Sequence, residues 1–178
     1  VGWHEHLGHL CGGGTMANLE ALWVAGRLTP GLQIVASQQA HYTHARISEV
    51  LGLPFTPIAI DSRARMDLAA LEDQLRAGTV GTVVVTLGAT ATGAVDPLPE
   101  ILRLRERYGF RLHADAAYGG YFGLAGNLEP EARAALLHLV RKWKSPAIVE
   151  AGFDGSETLD ILTIPAPTPP EPEPAELS

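Results

Sequence analysis

Four stretches of this sequence carry residue types that could do chemistry. The first is Cys11-Gly12-Gly13-Gly14-Thr15-Met16-Ala17-Asn18, a glycine run that opens directly into a helical pattern. Glycines let the backbone approach a ligand closely. A helix start aims free N–H groups and its dipole at an anion, with the Thr15 hydroxyl as one more donor. Phosphate is the natural guest, although the run lacks both the spacing of a dinucleotide fingerprint and the lysine of a P-loop. A plain glycine turn before a helix is the competing reading. The second stretch is Phe110 to Gly120, FRLHADAAYGG, where Asp115 ends an apolar strand. A carboxylate there is costly unless it meets a cation or several donors, so it points to a positively charged ligand atom such as a pyridinium nitrogen, or to an acid that caps the next turn.

The third stretch, Ser37 to His44, puts His41 and His44 just past a strand, where an imidazole can stack on a planar ligand, transfer a proton or fill space with one hydrogen bond. The fourth, Gly88-Ala89-Thr90-Ala91-Thr92-Gly93, sets hydroxyls on a loop after the most apolar run, and by itself is consistent with a simple connection. Metal binding is not expected. His4, His6 and His9 follow the order H-E-H-L-G-H, in which Gly8 stands where H-E-x-x-H needs its second histidine. No G-x-S-x-G elbow occurs, which argues against an α/β-hydrolase.

These stretches need elements to position them, and the hydrophobic periodicity supplies an alternation. Helices are predicted over Thr15–Leu28, His41–Leu51, Asp67–Ala77 (with Met66 as a staple) and Pro97–Tyr108. Strands are predicted over Gln33–Ser37, Phe55–Ile60, Thr79–Leu87 and Phe110–Ala114. The Val-rich run TVGTVVVTL suits a parallel strand buried on both faces. Strand and helix in turn imply a doubly wound α/β sheet whose ligands gather at the carboxyl ends of the strands, just where three of the four stretches fall. Beyond Phe122, a further helix is predicted over Glu129–Trp143, and Ser145–Ile164 gives only weak strand or turn signals. From Pro165 to Ser178 proline and glutamate dominate, a composition too poor in apolar surface to offset ordering entropy, so a disordered tail is expected.

Composition narrows the function classes. The 178 residues hold 13 Lys+Arg against 20 Asp+Glu, a formal charge of −7. That balance argues against nucleic acid or an anionic membrane as partner. The single cysteine, Cys11, excludes an intrachain disulfide and fits a cytoplasmic protein. No apolar run approaches the ~20 residues of a membrane span, and the start lacks a signal-peptide pattern.

Taken together, GGGTMANLEALWVAGR, SQQAHYTHARISEVLGLP, VVVTLGATATGAVDPLPEI and LHADAAYGGYF, in this order, resemble the group II pyridoxal-phosphate-dependent decarboxylases, the family of glutamate, aromatic-amino-acid, tyrosine and diaminobutyrate decarboxylases. The resemblance runs from Gly8 to Phe122 and implies the central part of the large domain of a fold-type I enzyme, a mostly parallel sheet with helices on both faces. It implies pyridoxal 5′-phosphate as cofactor, an L-amino acid as substrate, loss of CO2 as reaction and a homodimer as assembly. By the same resemblance Gly14 and Thr15 hold the cofactor phosphate, His41 stacks on the ring, Asp115 pairs with the ring nitrogen, Ala117 packs beneath the ring and Thr90 flanks it.

The sequence also departs from that family. The Schiff-base lysine of the family lies in an S-x-x-x-D-P-H-K segment, and no such string occurs. Lys142-Trp143 echoes the H-K-W ending with Arg141 in place of histidine, but the preceding residues read as helix and the spacing from Asp115 is short, so Lys142 is either the candidate anchor or a snorkelling residue at a helix end. The division expected is a partial cofactor domain over 1–128, a divergent helical or irregular segment over 129–164 and the tail over 165–178. On this reading the chain is a truncated or frameshifted form, with activity of its own in question. A non-catalytic remnant, and another fold-type I enzyme such as a desulfurase or aldehyde lyase, are the alternatives.

Overall fold

The computed structural model describes residues 7–124, 127–141, 148–153 and 158–164. Along them run β1 (Leu7–Cys11), α1 (Gly14–Leu28), β2 (Gln33–Ser37), α2 (Thr43–Val50), β3 (Phe55–Ile58), α3 (Leu68–Arg76), β4 (Val80–Thr86), α4 (Leu98–Tyr108), β5 (Arg111–Asp115), a 3-10 helix (Gly119–Leu124), α5 (Pro130–Arg141), β6 (Ile148–Phe153) and β7 (Thr158–Ile164). The strands form one sheet in the order β1-β6-β7-β5-β4-β2-β3. Every pairing is parallel except those of β7, which runs antiparallel to both β5 and β6. The expected mostly parallel α/β architecture is the one observed.

The Val-rich run becomes β4, and its alternation divides the core in two. Val84 packs with Leu22, Ile34, Ala36 and Ile47 on the α1 and α2 side. Val83 and Val85 pack with Leu71, Leu75, Leu98 and Ile101 on the α3 and α4 side. All three valines are fully buried, as a strand covered on both faces requires. Local chemistry sets the helix ends. Asp67 caps α3 by accepting from the Ala69 and Ala70 N–H groups at 2.8 and 3.1 Å, and Met66 and Leu71 sit in the same core cluster, the staple the sequence suggests. Gly109, with φ of 73°, ends α4 by donating its N–H to the Arg105 carbonyl.

Three segments differ from the sequence expectation. The second helix starts at Thr43 rather than His41, because residues 37–44 first make turns in which the Ala40 and His44 N–H groups donate to the Ser37 and His41 carbonyls. Leu7–Cys11 is a strand, although its sequence carries no β-branched run. Ser145–Ile164 contains two strands, β6 and β7. In both places pairing with segments remote in sequence outweighs weak local propensity. The Pro/Glu-rich tail lies outside the described residues.

Asp96, after β4, ties the loops at this end of the sheet together. Its Oδ1 accepts from the Met66 N–H at 2.7 Å and its Oδ2 from the Thr86 N–H at 2.8 Å. Burial pushes its carboxyl up to about 6, and the two N–H donors offset this only in part. Between 3.8, the ordinary value, and about 6 the folded chain holds a proton that the unfolded chain has lost. Stability therefore falls as pH rises across that window, by ~3 kcal/mol from this group. Urea unfolding at pH 4 and pH 7 checks this: the advantage of wild type over Asp96→Asn shrinks by about that amount at the higher pH. An unchanged advantage contradicts it.

Candidate cofactor site

The glycine run places the start of α1 at the carboxyl end of the sheet. Gly13 is the N-cap with φ of 129°, a conformation that disfavours any side chain, and its carbonyl accepts from Ala17 N at 3.0 Å. No side chain caps the helix, so its first N–H groups remain available to a ligand. They open on a cavity of about 400 Å³. Gly14, Thr15 and Asn18 of α1 form one wall, His41 a second, and Thr86, Gly88 and Thr90 a third. Asp115, Ala117 and Tyr118 complete it.

Asp115 is 5% exposed and stands beside Thr86 across the β4–β5 ladder. Its Oδ2 accepts from His44 Nε2 at 2.8 Å and from Asn18 Nδ2 at 3.3 Å, and its Oδ1 from the Ala117 N–H at 3.1 Å. Burial alone would push this carboxyl up. The His44 hydrogen bond, the adjoining His44 and His113 rings and the Ala117 N–H outweigh burial and hold it well below the usual carboxylate range. The site is thus built to keep a buried negative charge.

Asn18 connects the walls. It donates to Asp115, and its Nδ2 also lies 3.4 Å from Thr43 Oγ1, while its Oδ1 accepts from His113 Nε2 at 3.0 Å. Thr43 Oγ1 in turn lies 2.8 Å from His41 Nδ1. One amide therefore joins the helix start, the strand-end acid and the histidine wall.

Gly14, Thr15, His41, Thr90, Asp115 and Ala117, singled out from the sequence, all line this one cavity. Lys142 lies outside the described residues, as do His4 and His6, while His9 falls in β1. No group of three or more His, Cys, Asp or Glu suited to a metal ion occurs among the described residues. Sequence reasoning gave no role to Asn18, His113 or Thr86, nor a specific one to His44. A signal existed for two of them: Asn18 interrupts the buried face of Ala17, Ala21, Leu22 and Ala25, and His113 shares a strand face with Asp115 two residues on. A second cavity, of about 430 Å³, lies between the starts of α3 and α4. Its Arg65 is paired with Asp61 at 2.8 Å and with Glu131 at 2.8 Å, and none of the candidate residues lines it.

The profile of the pyridoxal-dependent decarboxylase conserved domain matches residues 15–147, well over half of the chain. The chain belongs to the pyridoxal-dependent decarboxylase family. A probable L-aspartate decarboxylase of Archaeoglobus fulgidus is 32% identical over 115 residues, which is 64% of this chain and 31% of that protein. One from Haloarcula marismortui is 36% identical over 125 residues, covering 68% and 35%. The crystal structure of mouse CSAD superposes with a TM-score of 0.72 at 24% identity, over 94% of this chain and 39% of that one, and shows a shared fold. This member of the pyridoxal-dependent decarboxylase family thus spans about a third of the length of the curated relatives it matches. No helix among its described residues is long and apolar enough to cross a membrane.

Proposed function

We propose that this chain forms the cofactor cavity of a pyridoxal-phosphate-dependent decarboxylase acting on an L-amino acid. The observation that carries the reading is the single cavity shared by the uncapped start of α1 and the buried, anionic Asp115. A ligand with an anionic tail and a cationic ring matches that pair of ends. The first amides of α1 and the Thr15 hydroxyl hold the phosphate, where the helix dipole adds to the hydrogen bonds. Asp115 keeps a proton on the ring nitrogen. His41 packs on one face of the ring and Ala117, too small to displace it, on the other, with Thr90 at the edge. When bound, the cofactor supplies an electron sink for the pair left behind as CO2 departs.

Lys142 is the candidate for the covalent anchor. The homodimer belongs to the same proposal: Tyr42, Tyr118, Tyr121 and Phe122 are exposed rings at or beside the cavity residues, the sort of surface a second copy would cover. A cytoplasmic location, in keeping with the lone cysteine, completes it. Titration of the purified chain with pyridoxal phosphate, followed by borohydride and peptide mass spectrometry, tests the reading. The expected result is saturable binding, and fixation of the cofactor on Lys142 would identify that residue as the anchor. Saturable binding without fixation supports the non-catalytic alternative, and absence of binding overturns the cofactor reading.

A further inference from the structure

Asp115 receives more support than holding a ring nitrogen requires, and the surplus comes from a histidine. His44, on α2, is fully buried, with Nε2 2.8 Å from Asp115 Oδ2. Asn18 Nδ2 reaches the same oxygen at 3.3 Å. An sp² oxygen has two lone-pair directions, so these two donors fill Oδ2. Oδ1 accepts from the Ala117 N–H at 3.1 Å and keeps one direction open. The carboxylate is divided into an oxygen with two donors and an oxygen with one.

The surroundings give His44 little choice of partner. Its Nδ1 is buried without a partner among the described residues, so Asp115 is the acceptor its ring serves. In the neutral ring the proton therefore sits on Nε2. His113 packs edge-on against it, with ring centroids 5.8 Å apart at 70°, and Asn18 closes the adjoining side.

We propose that His44 is a positioning residue for the cofactor ring: its Nε2–H pins Asp115 Oδ2 and so reserves Oδ1 for the protonated ring nitrogen. The inference rests on the cofactor reading above and deepens it by naming which oxygen meets the ring and what keeps it there. A His44 that merely fills space would change stability when replaced, but not the protonation of a bound ring.

The test uses the full chain, pyridoxine 5′-phosphate labelled with 15N in the ring, and the variants His44→Leu and His44→Gln. Pyridoxine phosphate has no aldehyde, so its binding is independent of any lysine. His44→Leu is expected to weaken binding about tenfold or more and to move the ring 15N signal toward the unprotonated position. His44→Gln, whose amide N–H can still reach the carboxylate, is expected to restore affinity to within about threefold and to restore the signal. Without ligand, the 13C signal of the Asp115 carboxyl should shift in His44→Leu and return in His44→Gln. Wild-type affinity and ring signal in His44→Leu overturn the proposal. If neither wild type nor the variants bind the probe, the cofactor reading fails and takes the ring part with it, while the ligand-free carboxyl signal still decides whether His44 positions Asp115. Should His44→Leu fail to fold, His44→Asn, with an amide too short to reach Oδ2, takes its place with the same expected losses.

Discussion

Replacing Asp115 with alanine is expected to abolish cofactor retention and to destabilise the fold by about 3–5 kcal/mol, the largest single effect at the site. His44 Nε2 and the part-buried Ala117 N–H lose their acceptor, and Asn18 Nδ2 keeps only Thr43 Oγ1 at 3.4 Å. Each orphaned donor costs about 1–3 kcal/mol, reduced here to the extent that water enters the space left by the carboxyl. Asp115→Asn separates the two losses. It keeps the volume and one acceptor oxygen, so stability falls less, but it removes the charge that balances a protonated ring, and affinity for pyridoxal phosphate should drop by about 100-fold or more. Because the folded carboxyl lies below the ordinary 3.8, its contribution to stability is fully present above that value. It is lost as pH falls through the lower folded value, so the acid limb of the stability profile should flatten in Asp115→Asn. Denaturant melts across pH and a fluorescence titration with the cofactor measure both. An Asp115→Asn variant that binds as tightly as wild type would mean that the acid does not meet the ring.

The second large effect is expected at a residue that touches no ligand. A Cβ at Gly119 would land on the Leu87 carbonyl and lie 3.2 Å from the Gly88 nitrogen. Gly88 faces it in turn: its own Cβ would lie 3.0 Å from both the Gly119 Cα and nitrogen, and its φ is +102°. Backbone packs on backbone here, and no side-chain rotamer can relieve the clash. Gly119→Ala should therefore cost at least about 3 kcal/mol and displace the neighbouring Tyr118 and Ala117 from the cavity wall. Gly93→Ala is the control, since Gly93 has φ of +68° and open space around it, so only the backbone term of about 1–2 kcal/mol remains. Urea unfolding of the two variants gives the comparison, and a Gly119→Ala protein as stable as Gly93→Ala would refute the close approach.

Much of the site was legible in the sequence because its parts are local signals. A glycine run before a helix, an acid at a strand end and a histidine past a strand each advertise themselves within about ten residues. Their order along the chain added the family. What could not be read is the part that folding assembles. His44 and Asp115 are 71 residues apart, and Asn18 and Asp115 are 97 apart, so nothing local records that they meet. The same holds for the β1–β6 and β5–β7 pairings, which join segments far apart along the chain, whereas β6 and β7 pair as neighbours. Asp96 shows the intermediate case. Its place after a strand and before Pro97 suggests a turn, whereas its two N–H donors come from Met66, on the connection from β3 to α3, and from Thr86, the last residue of β4.

The divided loyalty of β4 has one more consequence. Val84 belongs to the core on one side of the sheet and Val83 and Val85 to the core on the other. A slip of one residue would carry Thr82 or Thr86 into a slot that a valine now fills and would set Val85 or Leu87 beside Asp115 in place of Thr86. Since a strand advances about 3.3 Å per residue, the seat of Thr86 beside Asp115 can change only in jumps of that size. Fine adjustment of the ring's depth is thus left to the loops and helix ends around it, over a floor that does not creep.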